Sequence, residues 1–236
     1  MAGHSKWKNI KHKKAASDEA KMKKFTKLSK EIALAAKHGT DIHCNSMLRS
    51  LIEKANEINM PKENYIKAIE RAKASSNVDL YESTFYEGYG PGNVAFVVEV
   101  LSDNKNRAAA EVRRAFSHHG GRISTPGSVI WMFQKAGIIE GFGEGLIEED
   151  LFSYIVDYHI YDFFCNEGCF YIASEVNDLL SIKLVLKKYG LVVEESNIGF
   201  HPNEKICLSE KDEEVCHHFI EKLEEVEDIQ NIYYNA

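Results

Sequence analysis

The chain has 236 residues, of which 44% are hydrophobic and 28% charged, and a formal net charge of −7. That length allows one large domain or two to three small ones, and the composition is that of an ordinary globular protein able to bury a sizeable core. No apolar run approaches the roughly 18–20 residues of a membrane span, so no membrane partner is expected. The start of the chain has neither a signal peptide's apolar segment nor the Arg/Ser bias of an organelle transit peptide. Five scattered cysteines, Cys44, Cys165, Cys169, Cys207 and Cys216, suit a reducing compartment, and a cytoplasmic protein is expected.

Charge is segregated along the chain. Residues 1–30 hold ten Lys or Arg against two Asp or Glu, leaving 19 against 34 for the remainder. Solubility alone does not require that separation, and a basic pole on an acidic protein points to a polyanionic partner. Lys6, Lys8, Lys11, Lys13 and Lys14 surround Trp7 and His12 with few apolar residues, the pattern of a solvated arm. Trp7 can either stack on an exposed base or anchor the arm on the domain. Ser17 can cap a helix with Asp18 and Glu19 in its first turn. Met22, Phe25, Ser29, Ile32 and Ala36 then form one stripe, with Leu28 and Ala35 beside it. Lys23, Lys27, Lys30 and Lys37 fall on the opposite face, and Gly39 fits the stop. Helical lysines are ordinarily just solvated. The argument for nucleic acid is that a basic, Trp-containing arm runs directly into a basic helix face.

A second helix is expected from Asn45 or Ser46, with Leu48, Leu51, Ile52, Ala55 and Ile58 inward. Asn59-Met60-Pro61 breaks it, and Pro61 suits the start of a third helix with Tyr65, Ile66, Ile69 and Ala72 inward. The polar residues 73–77 mark a domain boundary. Beyond it the pattern becomes strand-like at 83–87 and 94–102, the second stretch apolar enough for a central strand. The glycine-rich turn between them leads into a strand rather than a helix, so it reads as a hairpin turn and not as a phosphate-binding loop. Asn104 or Asn106 can cap a helix that buries Val112, Ala115 and Phe116 and ends at Gly120-Gly121. Arg107, Arg113 and Arg114, with Arg122 beyond, form a second positive cluster. These guanidiniums suit phosphate contacts, but Asp103 and Glu111 are close enough to pair with them, and structural ion pairing is the preferred reading. His118-His119 reads as a helix-end pair. Residues 129–133 are expected to be a strand.

Gly3-His4-Ser5-Lys6-Trp7, Asn9-Ile10-Lys11-His12, Phe25-Thr26-Lys27-Leu28 and Asn59-Met60-Pro61 together resemble the YebC family. The resemblance continues in Tyr86-Glu87-Gly88-Tyr89-Gly90-Pro91-Gly92, Asp103-Asn104, Asn106-Arg107 and Gly127-Ser128-Val129. These motifs run in order over roughly the first 140 residues, and beyond them the match is one of general pattern. Ser46-Met47 and Asn93 depart from it, where Pro-Arg and Gly are common. The family includes bacterial proteins described as DNA-binding transcriptional regulators and a mitochondrial translational activator. Some bacterial members are tied to ribosomes stalled on proline-rich sequences. The resemblance implies an α+β protein of three domains, with an N-terminal three-helix domain followed by two ferredoxin-like α/β domains, the third inserted in the second. On this sequence the expected divisions are 1–77, then 78–136 with 202–236, and 137–201 as the insert.

The remaining pattern fits that architecture. Residues 148–159 can form a helix with Leu151, Phe152, Ile155 and Val156 inward. Residues 163–166 and 169–173 read as a hairpin around Glu167-Gly168. A helix over 176–189 would bury Leu179, Leu180, Ile182, Leu184 and Val185, and a strand follows at 191–194. A strand at 204–208, a helix at 212–225 and a strand at 229–233 would complete the second domain. From Lys135 onward there are 7 basic against 22 acidic residues, a surface that repels a nucleic-acid backbone or meets basic regions of transcription or ribosomal proteins. Cys165 and Cys169 read as small core or edge residues. Cys216 and His217 face apart on a helix, so no metal site is expected. No nucleophile elbow, phosphate-loop lysine motif or ligand set is present, and neither catalysis nor a cofactor is expected. Two functions remain. The first is a DNA-binding transcriptional regulator acting through the basic arm and helix. The second is a translation factor using the same pole on ribosomal RNA. A pure protein-interaction module is a third class, and it predicts no nucleic-acid binding at low salt.

Overall fold

Apolar residues recur at helical spacing up to residue 74 and follow strand patterning after residue 81, and the architecture divides there. The computed structural model describes residues 18–74 and 81–236. Helices α1 (Asp18–Ala36), α2 (Ser46–Glu57) and α3 (Lys62–Ala74) make up the first part. Leu28, Ile32 and Ala36 of α1 pack with Leu48, Ile52 and Ala55 of α2 and with Tyr65, Ala68 and Ile69 of α3. Asn45 caps α2 by accepting from the Leu48 amide at 3.0 Å, and its own amide nitrogen donates to the carbonyls of Ala35 and Gly39. One side chain therefore starts α2 and satisfies the end of α1. In α3 the buried arc runs through Ala68 rather than Ile66, which is 37% exposed. Ile66 sits about 100° from Tyr65, at the rim of the stripe. Met22, placed on the apolar stripe of α1, is also exposed.

Strands β1 (Glu82–Tyr89) and β2 (Ala95–Ser102) form an antiparallel hairpin paired from Glu82↔Ser102 to Tyr89↔Ala95. Gly92 and Asn93 supply positive φ in the turn, at 68° and 58°, in keeping with a hairpin reading of the glycines. Helix α4 (Lys105–His118), capped by Asn104, leads to a two-residue strand β3 (Arg122–Ile123) against β1. Between β3 and the final helix lie β4 (Phe133–Phe142), α5 (Glu148–Ile155), β5 (Ile160–Asn166), β6 (Cys169–Ser174), α6 (Leu179–Lys188) and β7 (Val192–Pro202). Helix α7 (Glu210–Glu224) and strand β8 (Ile229–Tyr234) then return to the first sheet. The first sheet has the order β3-β1-β2-β8 and the second β5-β6-β4-β7. The second sheet is wired β-α-β-β-α-β, the ferredoxin-like pattern.

Alternation along β2 builds two cores at once. Phe96, Val98 and Val100 face α4 and α7, where the rings of Phe96, Phe116 and Phe219 meet edge to face at 5.1–6.4 Å. Ala95 and Val97 face the other way and pack with Ala136 and Ile138 of β4 and Tyr233 of β8. The first sheet is thus covered by helices on one face and by the second sheet on the other. A third core of Ile139, Phe170, Ile172, Leu151, Ile155, Ile182 and Leu186 lies under α5 and α6.

Several expectations are corrected. The strand expected at 129–133 is instead a 3₁₀ turn over Ile130–Met132, with β4 beginning at Phe133. The amides of Val129 and Ile130 donate to the Glu87 carboxylate and cannot serve a ladder. Residues 204–208 form no strand; the Ile206 amide donates to the Asn235 carbonyl, and the Lys205 side chain pairs with Asp162. Helix α5 stops at Ile155, four residues earlier than expected, and Phe152 and Val156 are half exposed. Leu180 and Leu184 of α6 are exposed at 66% and 61%, and Ile182 and Leu186 carry the contact. Apolar residues on both sides of a short helix leave its orientation open to local pattern, and the sheet beneath selects one side.

Candidate nucleic-acid interface

The basic arm with Lys6, Trp7, Lys8, Lys11, His12, Lys13 and Lys14 lies outside the described residues, as does the Ser17 cap. The lysines of α1 are described, and they divide into two groups. Lys21, Lys23, Lys24 and Lys37 are exposed, with Lys24 3.6 Å from Glu195 in a solvent-accessible pair. Lys27 and Lys30 are not on a free outer face, which corrects the placement expected for them. Lys27 Nζ donates to the Gln230 carbonyl at 2.9 Å. Lys30 is 6% exposed, its Nζ 2.7 Å from Asp228 Oδ1 and 3.2 Å from the Glu227 carbonyl. Helix α1 is covered twice, by its own three-helix core and by the start of β8. Its second contact uses ammonium groups instead of methyls.

Asp228 is the centre of that contact. It also accepts from Ser102 Oγ at 2.7 Å and from Arg107 at 2.9 Å. Burial pushes its carboxyl upward, but the bonds from Lys30, Arg107 and Ser102 outweigh burial and hold it below the ordinary aspartate value. Arg107 is raised in turn, by Asp228 first and then Asp103, to which it also donates at 2.9 Å. The ion-pair reading therefore describes Arg107, whose guanidinium is committed to carboxylates. Asp103 is the partner near in sequence, and Asp228 adds a second.

Arg113 and Arg114 sit on the outer side of α4 and are exposed, as is Arg122 of β3. Arg113 and Arg122 line one open depression of about 560 Å³ together with Ser117, Ser124 and Thr125. The guanidinium of Arg122 lies 5.2 Å from the centre of the Tyr89 ring. The loop at its edge is organised by Glu87, a buried carboxylate on β1. Glu87 accepts from the amides of Gly127, Val129 and Ile130 at 2.6, 2.7 and 2.8 Å, and its carbonyl accepts from the Ser124 amide. Burial raises its carboxyl, and the three amides outweigh that and hold it below the ordinary glutamate value. Trp131, at the end of this loop, is 69% exposed. Neither Glu87 nor Trp131 was marked out as functional by sequence reasoning. The usable signals were a carboxylate next to a glycine near the end of a strand and a tryptophan beside a turn.

One group with metal-ligand spacing occurs among the described residues, His159, Glu175 and Asp178 beside the second sheet. Asp178 already accepts from the backbone and faces the ring of His159 at 2.9 and 3.1 Å, which closes the junction before β5. Cys165 lies partly buried on β5, and burial pushes its thiol up. Among the described residues, no helix is long and apolar enough to cross a membrane.

Helices joined by a buried lysine–carboxylate contact to two stacked antiparallel sheets, with cationic groups on α1 and α4, define an α+β protein of three structural parts. Two family models match it. The TACO1/YebC protein N-terminal domain matches residues 5–75, and the TACO1/YebC second and third domain matches residues 81–236. The chain belongs to the TACO1/YebC family. Its relatives include a protein of Thermoanaerobacter pseudethanolicus described as a probable transcriptional regulatory protein, 43% identical over 100% of this chain and 97% of the relative. A protein of Hahella chejuensis with the same description is 40% identical over 100% and 95%. The crystal structure of a conserved hypothetical protein from Aquifex aeolicus matches with a TM-score of 0.81 at 31% identity, over 93% of this chain and 90% of that one.

Proposed function

We propose that this chain is a nucleic-acid-binding regulator of gene expression, a transcriptional regulator that holds duplex DNA through its basic N-terminal arm and the exposed lysines of α1. The observation that carries this reading is the separation of charge, ten basic against two acidic residues over positions 1–30 on an acidic protein. The exposure of Lys21, Lys23 and Lys37 supports it further. Contacts of this kind neutralise phosphates without reading bases, so the binding is tolerant of sequence and steep in salt. Lys27 and Lys30 have a different role in this reading, fixing the angle at which α1 presents its outer side. The acidic C-terminal domains keep the backbone at that pole and are free to meet protein partners. The function is binding, with no catalytic step. The description shared by the bacterial relatives supports transcription as the process.

The test is the triple variant Lys21→Glu, Lys23→Glu, Lys37→Glu, with and without removal of residues 1–14. Duplex affinity should fall for all sequences, and the salt slope should flatten by about one unit for each phosphate no longer neutralised. Unchanged affinity and slope in both variants would overturn the reading. Co-sedimentation with ribosomes, measured in parallel, would move the same pole to ribosomal RNA.

A further inference from the structure

We propose that the surface formed by Trp131, Arg113 and Arg122 is a second nucleic-acid contact, one that takes an unpaired nucleotide. Its base stacks on the indole and its phosphate lies against the two guanidiniums. The inference rests on the nucleic-acid reading above and adds a site built by α4, β3 and the loop before β4.

The indole carries the first half of the argument. Trp131 is 69% exposed, yet it is tethered, because its Nε1 donates to the Ser128 carbonyl at 2.9 Å. The side chain's one polar atom is thus satisfied within the loop, and the ring is left as a fixed apolar platform. The loop beneath is built to hold still. Ser128 Oγ donates to the Thr125 carbonyl at 2.6 Å, and Gly127 turns the chain with φ 85°. Glu87 secures the amides of Gly127, Val129 and Ile130. On the far side, Asn203 donates through its side chain to the Trp131 carbonyl at 3.2 Å and through its amide to the Met132 carbonyl. An aromatic ring held in place before the ligand arrives loses little entropy on stacking.

The depression carries the second half. Thr125, whose carbonyl accepts from Ser128, also lines the cavity of about 560 Å³ into which Arg113 and Arg122 face, so the platform and the cationic pocket share one loop. Its lining holds two guanidiniums and the hydroxyl-bearing Ser117, Ser124 and Thr125, and no carboxylate. Arg122 is held against the Tyr89 ring. Guanidinium forks backed by hydroxyl donors are suited to a phosphodiester oxygen. Paired bases in a duplex do not offer a free face to a protein ring, so the ligand is a single strand, a loop or an end.

Fluorescence tests this directly. The chain has two tryptophans, Trp7 and Trp131, so in a Trp7→Phe background the emission reports Trp131 alone. Titration of the full chain with oligo-uridylate and oligo-thymidylate should quench that emission, while an abasic strand of equal length should bind without quenching. In the same background, Trp131→Ala should weaken strand binding about tenfold. Arg113→Gln should weaken it and flatten the salt slope by about one unit. Both variants replace exposed side chains, and an unchanged melting temperature shows that they fold. Greater affinity for uridylate or for thymidylate assigns the site to RNA or DNA. If the strand binds through the basic pole but Trp131 emission stays constant and both variants bind within twofold, the inference fails and the reading above survives. If neither strand nor duplex binds at low salt, both fail. If Trp131 is shielded only when a protein is added, the indole is a protein contact and the inference is overturned.

Discussion

Lys30 and Asp228, 198 residues apart in the chain, meet at 2.7 Å with side chains only 7% and 3% exposed. The pair joins the first helix to the last strand, and Arg107 and Ser102 complete the shell of the carboxylate. Removing one partner of a buried pair costs about 3–5 kcal/mol because the other charge is left without compensation. Arg107 and Ser102 still serve Asp228 after Lys30→Met, so the lower end, about 3 kcal/mol, is expected. Asp228→Asn should cost more, since it takes the buried carboxylate from Lys30 and Arg107 at once, although Arg107 keeps Asp103 and Lys30 keeps the Glu227 carbonyl. Denaturant unfolding measures both, and limited proteolysis between α1 and β8 should show the helical part released first. Equal stability of Lys30→Met and the parent would show that the pair does not clamp the helical part.

Glu87 holds a loop with a single carboxylate. Glu87→Gln keeps the shape but replaces one acceptor oxygen with a donor that faces an amide. Hydrogen bonds to a charged group contribute about 1.5–3 kcal/mol each, and a loss of about 3 kcal/mol is expected because relaxation recovers part of the three. Hydrogen exchange at Gly127, Val129 and Ile130 should accelerate well beyond that of amides in β2. Unaltered exchange there would show that the loop is held by something else.

Acid should act on Glu87 and Asp228 in one direction. Both have folded values below their ordinary 4.5 and 3.8. Their contribution is therefore complete above those values and disappears as pH falls through the depressed folded ones. Glu31 works the other way. Burial raises its carboxyl above 4.5, with Lys54 opposing, so its ionised form at neutral pH costs stability, and protonation restores it. Glu31→Gln should raise the melting temperature at pH 7 and lose that advantage near pH 4. A gain that persists unchanged at pH 4 would contradict the direction given for Glu31.

Backbone proximity at Gly88 offers a further check on the site. A Cβ added there would lie 2.5 Å from the Arg122 carbonyl oxygen and 2.7 Å from Phe116 Cε1. Gly88→Ala should cost about 1–3 kcal/mol, the usual range for overpacking, and push β3 away from β1. Arg122 moves with β3, so strand binding at the Trp131 surface should weaken although no ligand-facing side chain is changed. Normal binding and stability in Gly88→Ala would mean that the pairing of β3 is dispensable.

Much of the fold is local and was legible. Helix and strand differ in the period of their apolar residues, and caps such as Asn45 and Asn104 are written within three residues of what they cap. The hairpin turn at Gly92 and Asn93 is legible for the same reason, because positive φ is a property of a short stretch. Charge segregation is likewise a plain reading of composition, and it marks the basic pole without any coordinates. The motifs that carry the family resemblance belong to the same class, since they are runs of adjacent residues.

Tertiary structure alone decided which cations are exposed. Lys23 and Lys30 are both lysines on the polar side of one helix, but Lys30 is buried against Asp228 while Lys23 is exposed. No local period records that difference, because it arises where α1 meets a strand some two hundred residues away. The same holds for Trp131, left outside although tryptophan is usually well buried. Glu87 intercepts the amides that a strand over residues 129–133 would have used. Period and composition report what each segment can bury or bond. Which of those capacities is used depends on the neighbour that reaches it first.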